Sequence, residues 1–129
     1  MPSEPTVFVV DDDPAMRDSL RWLLQSEGLA VRTYVTAKEF LDAYSPGTRG
    51  CLVLDVCLPG MSGLALQHEL NARHIPLPTI IITGYGDART AKRALKAGAL
   101  DFLEKPFDDQ RLLDRVRQAI DTDQHGCQA

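Results

Sequence analysis

Four short stretches of this sequence end in residues that can handle charge. Residues 6–17 read TVFVVDDDPAMR and set Asp11, Asp12 and Asp13 side by side behind an apolar run. CLVLD ends at Asp55, PTIIIT ends at Thr83, and LDFLEK ends at Lys105. Adjacent carboxylates repel: at about 4 Å and an effective dielectric of about 20, a like-charged pair costs about 4 kcal/mol. A hard cation relieves that repulsion. Magnesium prefers oxygen ligands, uses few carboxylates and keeps several waters. A lysine facing the carboxylates supplies compact positive charge for a carboxylate or a phosphoryl oxygen, and a threonine supplies a hydroxyl donor. Such a set suits phosphoryl transfer, where catalysis is mostly positioning and charge neutralisation. The nucleophile would be a carboxylate and the product an aspartyl-phosphate. Taken alone, three aspartates in a row describe a solvated turn or a helix cap, and a lone threonine or lysine at a strand end is usually surface. The chemistry therefore depends on whether the four ends meet.

The elements that would carry them alternate along the chain. TVFVV is a β-branched run with no polar break, as expected for a strand covered on both faces. Pro14 suits a first helical turn. Met16, Leu20, Leu23 and Leu24 follow at i, i+4, i+7 and i+8, the pattern of an amphipathic helix that Gly28 is placed to end. LAVRTY is a shorter, more polar strand, expected at an edge. TAKEF fits a capping box, with Thr36 as N-cap and Glu39 at N3, and its helix stops before SPG at 45–47. CLVLD, 51–55, is a third strand; LPGMSG, 58–63, is a tight loop before a helix of about ten residues. PTIIIT, 78–83, is followed by the loop GYGD and by DARTAKRALKAG, a weakly apolar helix closed by Gly98. LDFLEK, 100–105, is the fifth strand. After Pro106, Asp108 or Asp109 caps a last helix with Leu112, Leu113, Val116 and Ile120 on one face. The domain spans 5–121; the polar tail from Asp121, DTDQHGCQA, is expected to fray or to begin a linker.

Five strands alternating with five helices imply an α/β, doubly wound parallel sheet with helices on both faces. Ligands in such sheets bind at the carboxyl ends of the strands, where the strand order changes direction. All four chemistry-bearing ends lie on that edge, so polar residues scattered along the sequence converge on one pocket.

Composition narrows the classes. The chain has 129 residues, the usual size of one domain, and 44% of them are hydrophobic, ordinary for a protein with a real core. A net charge of -4 and a pI near 5.2 argue against a basic nucleic-acid surface here. No apolar run approaches the ~20 residues of a membrane span, and MPSEPTVF lacks the basic and apolar regions of a signal peptide. A cytoplasmic protein without membrane contact is expected. Cys51, Cys57 and Cys127 are odd in number and lack zinc spacing, as reduced thiols would.

VVDDD, LVLDVCLPGMSG, IIITGYGD and GALDFLEKPF occur in this order. With them the chain resembles the receiver domain of two-component response regulators, over about residues 5–121. Within that family it most resembles the subgroup of transcription regulators with a LuxR-type helix-turn-helix, such as nitrogen-fixation regulators, on the strength of TGYGD and AGALDFLEKPF. The resemblance implies a flavodoxin-like sheet with strand order 2-1-3-4-5. It implies that Asp55 accepts a phosphoryl group from the phosphohistidine of a sensor histidine kinase. Asp12 and Asp55 would bind Mg2+ directly, Asp11 through water, and Cys57 through its backbone carbonyl. Thr83 and Lys105 would contact the phosphoryl oxygens. Pro106 would follow a cis peptide bond, the bond type where cis is least costly. Phe102 would be the switch aromatic, and relatives of this kind dimerise when phosphorylated through the face of helix 4, strand 5 and helix 5. Such a domain catalyses only its own phosphorylation and dephosphorylation, and reaches DNA only through an output domain, of which these residues contain none.

Other residues have plainer readings. Asp13 is given no metal role. His68, His74 and His125 lack metal-like spacing, and the first two are expected to be exposed on or near the third helix. Tyr85 lies in the loop after Thr83, and Trp22 is expected to pack at the first helix. Two other functions compete. An aspartate-nucleophile, Mg-dependent phosphatase of the haloacid-dehalogenase type would need a DxD motif after the first strand and a cap region; here Asp11 and Asp13 form that spacing only through the triple run, and the chain is short. A degenerate receiver that works without phosphorylation is the other, and Asp55, Thr83 and Lys105 speak against it.

Overall fold

The computed structural model describes residues 5–45, 47–56, 58, 60–84 and 88–126. The elements are β1 (Thr6–Val10), α1 (Pro14–Ser26), β2 (Ala30–Tyr34), α2 (Ala37–Ala43), β3 (Gly50–Asp55), α3 (Gly63–Ala72), β4 (Thr79–Thr83), α4 (Ala88–Lys96), β5 (Asp101–Glu104) and α5 (Asp109–Gly126). They form one five-stranded sheet in the order β2-β1-β3-β4-β5, with every neighbouring pair parallel. The polar strand β2 lies at an edge, as its composition implied.

The period of two along each strand divides the core into two layers. Phe8, Val10, Leu52, Leu54 and Ile81 face a cluster with Phe40 of α2, Leu66 and Leu70 of α3 and Ala94 of α4. Val7, Val9, Cys51, Val53, Ile80, Ile82 and Leu103 face the other, with Leu20 and Leu24 of α1 and Leu112, Leu113, Val116 and Ala119 of α5. Burial on both faces is why β1, β3 and β4 contain no alternation of polar and apolar residues.

Local signals act largely as expected. The Thr36 hydroxyl accepts the N–H of Glu39 at 3.1 Å. The Glu39 carboxylate reaches back one residue further than a capping box requires, to the N–H of Val35 at 3.2 Å. Gly28 and Gly98 take positive φ, 80° and 110°, just past α1 and α4. Asp108 rather than Asp109 caps α5, taking the N–H of Gln110 at 3.4 Å on its side chain and that of Leu112 at 3.1 Å on its carbonyl.

Two expectations are corrected. Trp22 is not packed: it projects from α1 with 74% of its surface exposed, because the inward stripe is already filled by Leu20 and Leu24. The chain from Asp121 does not leave the helix; α5 runs on to Gly126, since nothing in DTDQHG before that glycine breaks a helix. Among the described residues no helix is long and apolar enough to cross a membrane.

Candidate functional site

The strand ends do meet. Asp11 follows β1 and is 1% exposed; Asp55 ends β3 and is 6% exposed; Thr83 ends β4 and is fully buried. Carboxylate oxygens of Asp11, Asp12 and Asp55 lie within 4.8 Å of one another, and this cluster could hold a metal ion. Asp12 is the exposed member. Oxygen-only donors on a partly open rim fit a hard cation that keeps part of its water.

Lys105, just past β5, closes the site. Its Nζ stands 3.5 Å from Oδ2 of Asp11 and 3.5 Å from Oδ2 of Asp55. Its N–H donates to the carbonyl of Thr83 at 2.9 Å, and the Lys105–Pro106 peptide bond is cis. Burial works against the Lys105 ammonium, but the charges of Asp11 and Asp55 outweigh it and hold its pKa above the ordinary lysine value. Burial pushes the Asp11 carboxyl upward. The N–H of Asp13, donating to Oδ1 of Asp11 at 2.9 Å, opposes that, and the charge of Asp55 adds to it.

The strand period places the other residues. Asp11 continues the series Val7, Val9, and Asp55 continues Cys51, Val53, so both belong to the α1/α5 layer. Thr83 continues from Ile81 into the opposite layer, where the half-buried Phe102 packs. Ile81 and Phe102 are register partners. Among the described residues the Thr83 hydroxyl has no hydrogen-bond partner. A buried hydroxyl in that state costs about 1–3 kcal/mol.

Asp13 serves the helix instead: its Oδ1 accepts the N–H of Ala15 at 3.0 Å and caps α1. His68 and His74 are exposed and stand away from the cluster. Cys57, Tyr85, Gly86 and Asp87 lie outside the described residues, as does the side chain of His125.

Two further residues shape the site without having been singled out by sequence. Gly63 opens α3 against the end of β3: a Cβ there would stand 2.5 Å from the backbone oxygen of Asp55 and 2.8 Å from Cα of Val56. Arg17 donates from Nη1 to the backbone carbonyl of Asp11 at 2.8 Å. The legible signal for Arg17 is its position, four residues into α1. Helical side chains lean toward the N-terminus, so an arginine there reaches back over the aspartates.

Residues 7–117 match the family described as the response regulator receiver domain. The chain belongs to that family. It is 52% identical over 120 residues to the transcriptional regulatory protein FixJ of Azorhizobium caulinodans, covering 93% of this chain and 57% of that protein. It is 53% identical over 115 residues to the transcriptional regulatory protein TdiR of Thauera aromatica, covering 89% of this chain and 51% of the relative. The crystal structure of full-length FixJ from B. japonicum superposes with a TM-score of 0.90 at 43% identity, over 98% of this chain and 62% of that one. The chain thus spans about half the length of the curated relatives it matches. The family match does not favour the phosphatase alternative.

Proposed function

We propose that this chain is a phosphorylation-dependent switch whose output is transcription. Asp55 accepts the phosphoryl group: a carboxylate oxygen of Asp55 attacks phosphorus and the bond to the donor's histidine nitrogen breaks. The donor is the phosphohistidine of a sensor histidine kinase, and the setting is the cytoplasm. The observation that carries this reading is the Lys105 ammonium held between Asp11 and Asp55, 3.5 Å from each, at the edge where a buried Thr83 hydroxyl has no partner among the described residues.

Mg2+ bound by Asp12, Asp55, the backbone carbonyl of Cys57 and, through water, Asp11 would supply neutralisation of phosphoryl charge. Lys105 neutralises the charge of Asp55 as it gains an anion. Thr83 donates its hydroxyl to a phosphoryl oxygen. Phe102, in the same layer as Thr83, follows into the space that hydroxyl leaves. The chain promotes only its own phosphorylation and dephosphorylation. The face of α4, β5 and α5 then pairs with a second copy, and DNA is reached through an output domain outside these residues. A groove of about 470 Å³, lined in part by Met16, Trp22, Lys105 and Phe107, opens beside the site and offers an approach for the kinase.

The test uses a small phosphodonor. Acetyl phosphate with magnesium should add one phosphoryl group, located on Asp55 by mass spectrometry. Asp55→Asn should not be labelled, and Asp12→Ala should lose the thermal stabilisation that millimolar magnesium confers on the parent. Label at another residue, or undiminished in Asp55→Asn, rejects the reading.

A further inference from the structure

Arg17 is oddly employed. It lies half-buried at the fourth position of α1, four to six residues from three aspartates. A guanidinium beside carboxylates ordinarily forms an ion pair, often a two-pronged one. Yet among the described residues Arg17 has no carboxylate partner, and its side chain donates to one neutral acceptor, the Asp11 carbonyl, at 2.8 Å. Its location carries a further penalty, because the positive end of the helix dipole disfavours a cation near the N-terminus. Solvation of a surface charge does not require this arrangement.

The carbonyl it holds belongs to the peptide joining Asp11 to Asp12. Orienting that peptide orients the Cα–Cβ bonds on both sides of it, and so the two carboxylates. Asp11 has other anchors: its N–H donates to the carbonyl of Tyr34 at 3.1 Å, and its side chain holds the N–H of Asp13. Asp12 has none. Its side chain is exposed, and among the described residues its carboxylate has no hydrogen-bond partner. The bond from Arg17 thus holds the peptide on the Asp11 side of Asp12, and together with the Asp13 N–H bond on the other side it aims the Asp12 carboxylate.

We infer that Arg17 is a positioning residue for the cation site: it fixes the Asp11–Asp12 peptide so that both carboxylates face one ion. The inference rests on the reading of Asp11, Asp12 and Asp55 as a cation site. Charge and geometry act in opposite directions here, which makes the sign decisive. As a nearby positive charge, Arg17 repels a dication, and its removal would strengthen binding. As a positioning residue, its removal weakens binding. Groups that orient metal ligands from behind are typically worth about 10–100-fold in affinity.

Calorimetric titration with manganese chloride tests this on the parent chain, Arg17→Met and Arg17→Lys, each with its metal-free melting temperature. The expected result is binding by the parent, roughly 10-fold weaker binding by Arg17→Met, and an intermediate value for Arg17→Lys, which keeps the charge but shortens the reach. A residue that merely stabilised the helix would lower the melting temperature and leave the dissociation constant alone, which would overturn the inference. Binding by Arg17→Met as tight as the parent's, or tighter, also overturns it while leaving the cation site standing. A parent that binds no manganese overturns both. Should Arg17→Met fail to fold, Arg17→Lys decides: affinity equal to the parent's or higher rejects positioning.

Discussion

The N–H of Lys105 donates to the carbonyl of Thr83 at 2.9 Å, while their side chains serve opposite layers of the sheet. Lys105 turns to Asp11 and Asp55 on the α1/α5 side; Thr83 continues the α4 side. One backbone bond therefore joins the residue whose ammonium faces Asp11 and Asp55 to the residue proposed to report phosphorylation. Phosphorylation would add about two negative charges and several acceptor oxygens beside both.

Neutralising and reporting should separate by mutation. The Thr83 hydroxyl is buried and unpartnered among the described residues, so Thr83→Val replaces an unmet donor with a methyl group of similar volume. Metal-free Thr83→Val should be as stable as the parent or more stable by about 1 kcal/mol, and should still accept a phosphoryl group from acetyl phosphate. It should lose the coupled change in self-association. Urea denaturation would check the first claim; a clear loss of stability would mean the hydroxyl is already engaged at rest.

Asp11 sets a pH dependence. Its carboxyl is raised in the fold, by burial first and by Asp55 after the opposing bond from Asp13. The folded chain then holds that proton more tightly than the unfolded chain does. The stability it contributes is full below the unfolded value near 3.8 and is lost as pH climbs through the higher folded value. Lys105 is also raised, so its contribution persists until pH passes above the ordinary lysine value of 10.5 and does not vary in this window. In chelator, the melting temperature of Asp11→Asn minus that of the parent should grow between about pH 4 and pH 8. A difference that shrinks with pH would show that Lys105 more than compensates the buried charge.

The approach of α3 to the site depends on a missing side chain. With 2.5 Å between a Cβ on Gly63 and the Asp55 oxygen, and backbone on both sides of the contact, something must shift. Gly63→Ala should cost about 1–3 kcal/mol and weaken manganese binding as well, because the displaced backbone carries Asp55. Normal metal affinity in a destabilised variant would show that the strain is absorbed by α3 instead.

Much of this was legible in the sequence, for identifiable reasons. The uninterrupted apolar runs at 7–10, 51–54 and 80–82 require cover on both faces, and together with the alternation of strands and helices that requirement leads to a doubly wound sheet whose polar ends share an edge. The cluster of Asp11, Asp55 and Lys105 followed from that topology. What was not legible depends on packing in three dimensions. Trp22 carries a large apolar side chain, but Leu20 and Leu24 occupy the inward stripe and leave it outside. Tail polarity suggested fraying, yet polarity alone does not stop a helix that is already formed, and α5 continues through it. Gly63 meets a backbone oxygen, which no side-chain pattern announces, and the position of Arg17 four residues into α1 points back toward the aspartates without naming the carbonyl it holds.

Exposure of Trp22 beside the groove has a consequence for the donor. Tryptophan is enriched among the few interface residues whose truncation costs about 2 kcal/mol or more. Trp22→Ala should slow phosphotransfer from the sensor kinase by on the order of 10-fold, while labelling by acetyl phosphate stays at the parent rate. Equal losses with both donors would assign Trp22 to the pocket chemistry and not to the approach of a protein.

The output surface can be reasoned from charge. α4 presents Arg89, Lys92, Arg93 and Lys96 to solvent. On β5 and at the start of α5, Asp101 is already paired with Arg115, while Glu104, Asp108 and Asp109 are exposed acids. Basic and acidic strips on one weakly apolar surface are self-complementary across a two-fold axis, and exposed pairs of this kind are individually weak and screened by salt. Such a contact should form only when the aromatic beneath it settles in one state, because a ligand shifts an equilibrium only through states it binds differently. The resting chain should therefore sediment as a monomer, and the beryllofluoride form, which stands in for the phosphoryl group on Asp55, as a dimer whose population falls as salt is raised. Phe102→Ala should weaken that dimer without abolishing beryllofluoride binding. A beryllofluoride complex that remains monomeric at high micromolar concentration would reject this face as the output surface, and would leave the acceptor chemistry at Asp55 intact.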